Sequence, residues 1–157
     1  MSNKFEFISA TDKPALLAFS TPDLLETTRA ALTELGYKVH TAATHSDFEV
    51  RFSQVRYQVV VIEETFACNR IEENTTLRML QRMTMNQRRH STILLLGDSF
   101  QTFMPMQAFQ QSVHAVINRS ELFLLKQLIE KAVADNALFL HSYKEAQVRA
   151  FAEPVRK

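Results

Sequence analysis

Tyr57-Gln58-Val59-Val60-Val61-Ile62-Glu63 sets four consecutive β-branched residues between a glutamine and a glutamate. Such a run suits an extended strand, because branched side chains pack well on a pleated surface. It leaves no polar face for water. Both faces must therefore be covered, as in parallel sheets flanked by helices. Working outward from this strand at 58–62, Thr92-Ile93-Leu94-Leu95-Leu96 has the same two-faced apolar character. Residues 15–19 (ALLAF), 38–42 (KVHTA) and 115–117 (AVI) complete a set of five candidate strands.

The stretches between the strands have helical periodicity. Thr21-Pro22-Asp23 predicts a helix start, with Thr21 as N-cap and Pro22 at the first helical position, where a missing N–H does no harm. Leu24, Leu25, Thr28, Ala31, Leu32 and Leu35 line one face of that helix, and Gly36 supplies its stop. A second helix is expected over 46–55, a third over 74–86 and a short fourth over 104–111. A fifth opens at a Ser120 cap and carries Leu122, Leu125, Leu128, Ile129, Ala132 and Val133. Regular alternation of strand and helix with right-handed crossovers gives an α/β, doubly wound, three-layer domain. In such folds ligands sit beyond the carboxyl ends of the strands. Those ends are residues 19–21, 42–44, 63–65, 97–99 and 118–120.

The chain of 157 residues fits one domain, and its 18 Lys+Arg against 17 Asp+Glu give a formal charge of +1. No global field draws it to nucleic acid or to an anionic membrane. One cysteine, Cys68, excludes an internal disulfide and suits a reducing compartment. With no signal-peptide-like or membrane-spanning apolar run, a cytoplasmic address is expected. The division expected is an N-terminal arm or edge strand over 1–13, with 5–8 as the strand, then a domain over 14–135 and a helical extension over 136–157. No helix stop precedes Pro154, so the last helix should outrun its sheet, and Leu138, Phe139, Leu140, Tyr143, Val148 and Phe151 load that overhang with apolar surface.

The order and spacing of these elements resemble the receiver domain of bacterial response regulators, over residues 14–135. ALLAFSTP, thirteen residues and then Gly36-Tyr37 is similar to a receiver's passage from first strand to second. The 57–63 stretch resembles the third strand leading to the phosphoacceptor. The resemblance implies strand order 2-1-3-4-5, a flavodoxin-like sheet and a two-component signalling setting. It also implies a site. Receivers accept phosphate on an aspartate ending strand three, with Mg²⁺ held partly by an acidic pair after strand one. Here the acidic-pair positions fall on Phe19 and Ser20, the phosphoacceptor position on Glu63, the hydroxyl position on Gly97 and the lysine position on Arg119. Phe19 and Ser20 offer a hard cation no anionic ligand. No metal, no cofactor and no catalysis are therefore expected. Glu63 reaches about 1.5 Å further than aspartate. Three expectations stand for it: two solvated strand-end charges, a bidentate pair with Arg119 across the pocket, or metal and phosphate chemistry displaced from its usual residues. The loop over 65–73 is longer than a receiver's and should be reshaped.

Other chemistry is weakly signalled. The five histidines, His40, His45, His90, His114 and His141, lack zinc spacing. Gly97-Asp98-Ser99 lacks the glycines of a nucleophile elbow. The leading expectation is a phosphorylation-independent pseudo-receiver that binds a protein partner or pairs with a second copy. The resemblance implies a docking face on the fourth helix, fifth strand and last helix, with Ala108, Phe109, Val113, Val116, Leu122 and Phe123, to which the overhang adds Phe139 and Tyr143. One rival is a nucleic-acid-associated regulator using Arg78, Arg82, Arg88, Arg89 and His90. Another is a small-ligand-binding α/β domain with Glu63, Asp98 and Arg119 around a pocket.

Overall fold

The computed structural model describes residues 7–88 and 90–152, without the side chains of Met85, Asn86 and Ala152. Five parallel strands, β1 (Pro14–Ala18), β2 (Lys38–Ala42), β3 (Val59–Glu63), β4 (Thr92–Gly97) and β5 (Ala115–Asn118), form one sheet in the order β2-β1-β3-β4-β5. Every residue of β1, β3 and β4 is buried. The period of two along each strand sorts them into two cores. Leu16, Val60, Ile62, Ile93 and Leu95 meet Phe48, Phe52, Leu77 and Leu80 on one face. Leu17, Val59, Val61, Leu94 and Leu96 meet Leu24, Leu32, Leu125 and Ile129 on the other. Fully burying one such side chain contributes about 1.5–3 kcal/mol. A charge at Val60 or Val61 would thus break one layer.

The helices are α1 (Pro22–Glu34), α2 (His45–Gln54), α3 (Thr75–Arg82), α4 (Met85–Arg88), α5 (Pro105–Gln111) and α6 (Leu125–Ala152). Gly36 follows α1 with φ +89°, the left-handed turn that favours glycine. Two expectations need correction. The single helix expected over 74–86 is two, because Met83 is extended and the Leu80 carbonyl accepts from Met83 N–H and from Arg88 Nη1 instead of continuing the ladder. Ser120 does not cap the last helix. Its N–H is accepted by the Asn118 side chain at 2.8 Å, residues Arg119–Leu124 form a 3-10 turn, and α6 starts only at Leu125.

α6 has 28 residues and runs unbroken past residue 135. At ~1.5 Å per residue it spans about 42 Å. Leu125, Ile129, Ala132 and Asn136 are buried under it, whereas Phe139 and Phe151 are 60% and 88% exposed. The candidate edge strand over 5–8 falls partly outside the described residues, and among those described no strand precedes Pro14. No helix among them is long and apolar enough to cross a membrane.

The entry to β5 carries a pH-sensitive group. His114 Nδ1 faces the Ile93 N–H at 2.8 Å, and burial, then the nearby Arg88 charge, push its pKa down to about 4. The unfolded chain titrates near ~6.5 and so binds the proton first. Stability is therefore complete above that value and falls as pH drops toward 4, by about 3 kcal/mol from this residue. His90, lowered by burial and Arg56, acts in the same direction. Urea unfolding across pH 4–7 should show this slope, and His114→Gln should flatten it. An equal slope in the variant would remove His114 from the account.

Candidate functional site

Glu63 ends β3, and its side chain turns inward toward the β1–α1 connection, only 3% exposed. Oε1 accepts the Ser20 N–H at 2.7 Å and the Thr21 N–H at 3.0 Å, and Oε2 accepts the Thr21 hydroxyl at 2.6 Å. Thr21 occupies the N-cap of α1 as its sequence predicts, but its side chain accepts no cap hydrogen bond. The hydroxyl donates to Glu63 instead. A carboxylate from another strand thus supplies negative charge at the positive end of α1. Sequence reasoning named Thr21 only as a local cap. Its role as a ligand of Glu63 comes from the parallel pairing of β1 with β3, which sets Ala18 beside Ile62.

The loop that follows is fastened on three sides. Ser20 Oγ accepts the Ala67 N–H at 2.7 Å, and Ala67 has φ +52°, a conformation non-glycine residues seldom adopt. Asn74, fully buried, donates to the Glu63 and Glu64 carbonyls, both at 3.2 Å, and caps α3 through the Leu77 N–H at 3.1 Å. The signal for Asn74 is legible, since asparagine ahead of a periodic run is an N-cap, so the helix expected over 74–86 begins one residue later, at Thr75. Glu64 lies across Gly97, where a β-carbon would stand 2.6 Å from the Glu64 Cβ. Glycine at this strand end makes room for that side chain, and a hydroxyl-bearing residue would collide with it.

Arg119 does not reach Glu63. It pairs with Asp98 at 3.5 Å in an exposed position, while Asn118 ends β5 opposite Gly97 and holds the Asp98 and Phe100 carbonyls. The bridge expected across the pocket is thus replaced by two separate arrangements, because three nearer donors already take the Glu63 carboxylate. The ligand pocket imagined around Glu63, Asp98 and Arg119 is likewise not assembled. A hard cation does not fit the donors present: Phe19 is buried and apolar, the Ser20 hydroxyl accepts from Ala67, and both Glu63 oxygens accept from the β1–α1 connection. Among the described residues no three His, Cys, Asp or Glu side chains converge.

The residues expected at a docking face separate. Val116 is 0% exposed, packed in the sheet's core, so it is not at a surface. Its neighbours Ala115 and Ile117 point the other way into a second core, as a strand covered on both faces requires. Leu122 is partly buried against that second core, whereas Phe109 and Phe123 are 79% and 80% exposed. Phe109, Val113 and Phe139 do come together. With Phe103, Met104 and Leu140 they line a groove of about 1170 Å³ along the β5 edge, between α5 and α6. Tyr143 lies further along α6.

The basic stretch does not present one charged face. Arg88 is buried, donating from Nη1 to the Leu80 carbonyl at 2.7 Å and from Nη2 to the Ser112 carbonyl. Arg78 is bonded to the Glu72 carbonyl, and His90 stacks on Phe52. Arg89 lies outside the described residues. Arg78 and Arg88 are thus taken up by backbone carbonyls, whereas Arg82 is exposed.

No protein-family model and no curated protein sequence matches the chain. Solved structures do. The chemotaxis response regulator CheY4 of Vibrio cholerae is similar at TM-score 0.60 and 14% identity, over 78% of this chain and 99% of its own. A response regulator from Burkholderia pseudomallei, solved with a phosphorylated aspartic acid and a calcium ion, is similar at TM-score 0.60 and 15% identity, over 93% and 78% of the two chains. An orphan response regulator of H. pylori is similar at TM-score 0.56 and 18% identity, over 76% and 95%. The fold of this chain is that of response-regulator receiver domains.

Proposed function

We propose that this chain is a receiver-fold signalling module that works by docking a protein, a second copy of itself included, without phosphorylation and without catalysing a reaction. One observation carries the reading. The carboxylate at the phosphoacceptor position is buried and fully engaged by Ser20 and Thr21. Phosphoryl transfer needs an exposed nucleophile and a cation that neutralises the charge on the transferred group. Glu63 is withdrawn from attack, and Phe19 and Ser20, at the positions where the resemblance implies an acidic pair, supply no anion to hold such a cation. A pocket closed in this way keeps α1 and the 64–74 loop in one arrangement, so any signal resides in who binds the outer surface. Incubation with acetyl phosphate and Mg²⁺ is the test. An unchanged intact mass is expected, and a phosphorylated product mapped to Glu63 or a neighbouring residue would overturn the reading. For the nucleic-acid reading, steep salt-dependent binding to a duplex would be the result in its favour.

A further inference from the structure

We infer that two copies pair by exchanging helices, the overhanging half of α6 from each lying in the β5-edge groove of the other. The inference rests on the docking reading above. At 100° per residue, Leu125, Ile129, Ala132, Asn136, Phe139, Leu140, Tyr143, Ala150 and Phe151 fall on one face of α6. The first four are buried beneath the helix by its own sheet. The remainder of that stripe continues beyond the sheet, interrupted by Gln147, which donates to the Tyr143 hydroxyl, with Phe139 60%, Tyr143 41% and Phe151 88% exposed. A convex apolar ridge therefore leaves the domain at the point where Phe139 and Leu140 also line the concave groove.

Shape chooses the occupant. A groove cannot be filled by an identical groove, and the matching ridge is on the same molecule. Two overhangs wound only on each other would offer about two heptads, fewer than the three or four a coiled coil sustains. Adding the groove removes that shortage. At the ~150–250 Å² an aromatic side chain can bury, the exposed fractions of Phe109, Phe139, Tyr143 and Phe151 supply roughly 500 Å². The half-buried groove residues Met104 and Val113 add to this, toward the ~800 Å² per partner of a stable interface. Lengths agree as well. At ~1.5 Å per residue, 140–152 extends about 18 Å, and the groove-lining part of α6, 131–140, about 14 Å. Two-fold symmetry sets the two α6 helices antiparallel, crossing near Phe139, and closes both contacts at once. Charge does not oppose it, since each copy carries a formal +1.

Sedimentation equilibrium of the full chain tests this, with two exposed-site variants that leave the cores intact: Phe109→Glu at the groove lip and Tyr143→Glu/Phe151→Glu on the ridge. The parent should dimerise, and each variant should weaken the pairing at least tenfold. An equimolar mixture of the two variants should pair more tightly than either variant alone, though less tightly than the parent, because one of its two contacts joins a native ridge to a native groove. Loss in both variants without recovery in the mixture would overturn the exchange, as would assembly growing past two copies. A parent dimer indifferent to both variants would also overturn it while leaving the docking reading standing. A monomeric parent would remove self-association altogether, and the acetyl phosphate experiment would still judge the closed pocket separately.

Discussion

Glu63→Ala should lower the unfolding free energy by about 3 kcal/mol. The carboxylate accepts from Ser20 N–H, Thr21 N–H and the Thr21 hydroxyl while 3% exposed. Removing it orphans three donors at the start of α1, and an unsatisfied buried group costs about 1–3 kcal/mol. Water entering the vacated space offsets part of that sum, so the total stays near the value of one or two such groups. Glu63→Gln separates charge from hydrogen bonding. Its amide oxygen can serve both N–H donors and its NH₂ can donate to Thr21, whose hydroxyl reverses, so a loss of about 1 kcal/mol is expected, from the helix-dipole term alone. Glu63→Asp falls between, since aspartate is shorter by about 1.5 Å and cannot reach all three donors. Urea denaturation with an unchanged m-value is the measurement. Should Glu63→Ala be as stable as its parent, the carboxylate does not close the pocket in solution. The aspartate variant should also stay unmodified by acetyl phosphate, because Phe19 and Ser20 still provide no metal ligand.

Arg88→Met should cost about 2–4 kcal/mol, comparable to breaking a buried ion pair. Arg88 is 8% exposed, and its guanidinium ties the Leu80 carbonyl at the end of α3 to the Ser112 carbonyl after α5. Burial pushes its pKa down, as expected for a charge removed from water. Methionine keeps the stem and loses both hydrogen bonds, leaving two helix-end carbonyls without their donor. Lysine should recover part of the loss, having donors but no planar fork. This substitution also separates two roles for the cation. A structural staple lowers the melting temperature, whereas a phosphate contact would weaken duplex binding and leave stability unchanged.

β3 and β4 were legible because their demand is local. Val59 to Ile62 and Ile93 to Leu96 have no polar face, and only a sheet covered by helices on both sides satisfies them. The same rule, applied to the alternation of Ala115, Val116 and Ile117, would have kept Val116 out of the docking face. The division of the third helix was less legible, since Met83 and Leu80 keep the apolar period across the break, and the break depends on Arg88 turning back onto Leu80.

From its residues alone this chain determined a doubly wound parallel sheet, two uncharged residues, Phe19 and Ser20, directly after β1 and a last helix longer than its support, because hydrophobic period and residue type are properties of neighbours in sequence. The tertiary structure decided the fate of Glu63. Its two contenders were Arg119, a charge visible in the sequence, and the backbone N–H groups of Ser20 and Thr21, which every sequence carries and none displays. Strand pairing brings those amides within 3.0 Å of the carboxylate and leaves Arg119 to Asp98. Proximity set by the fold outweighed the attraction of opposite charges.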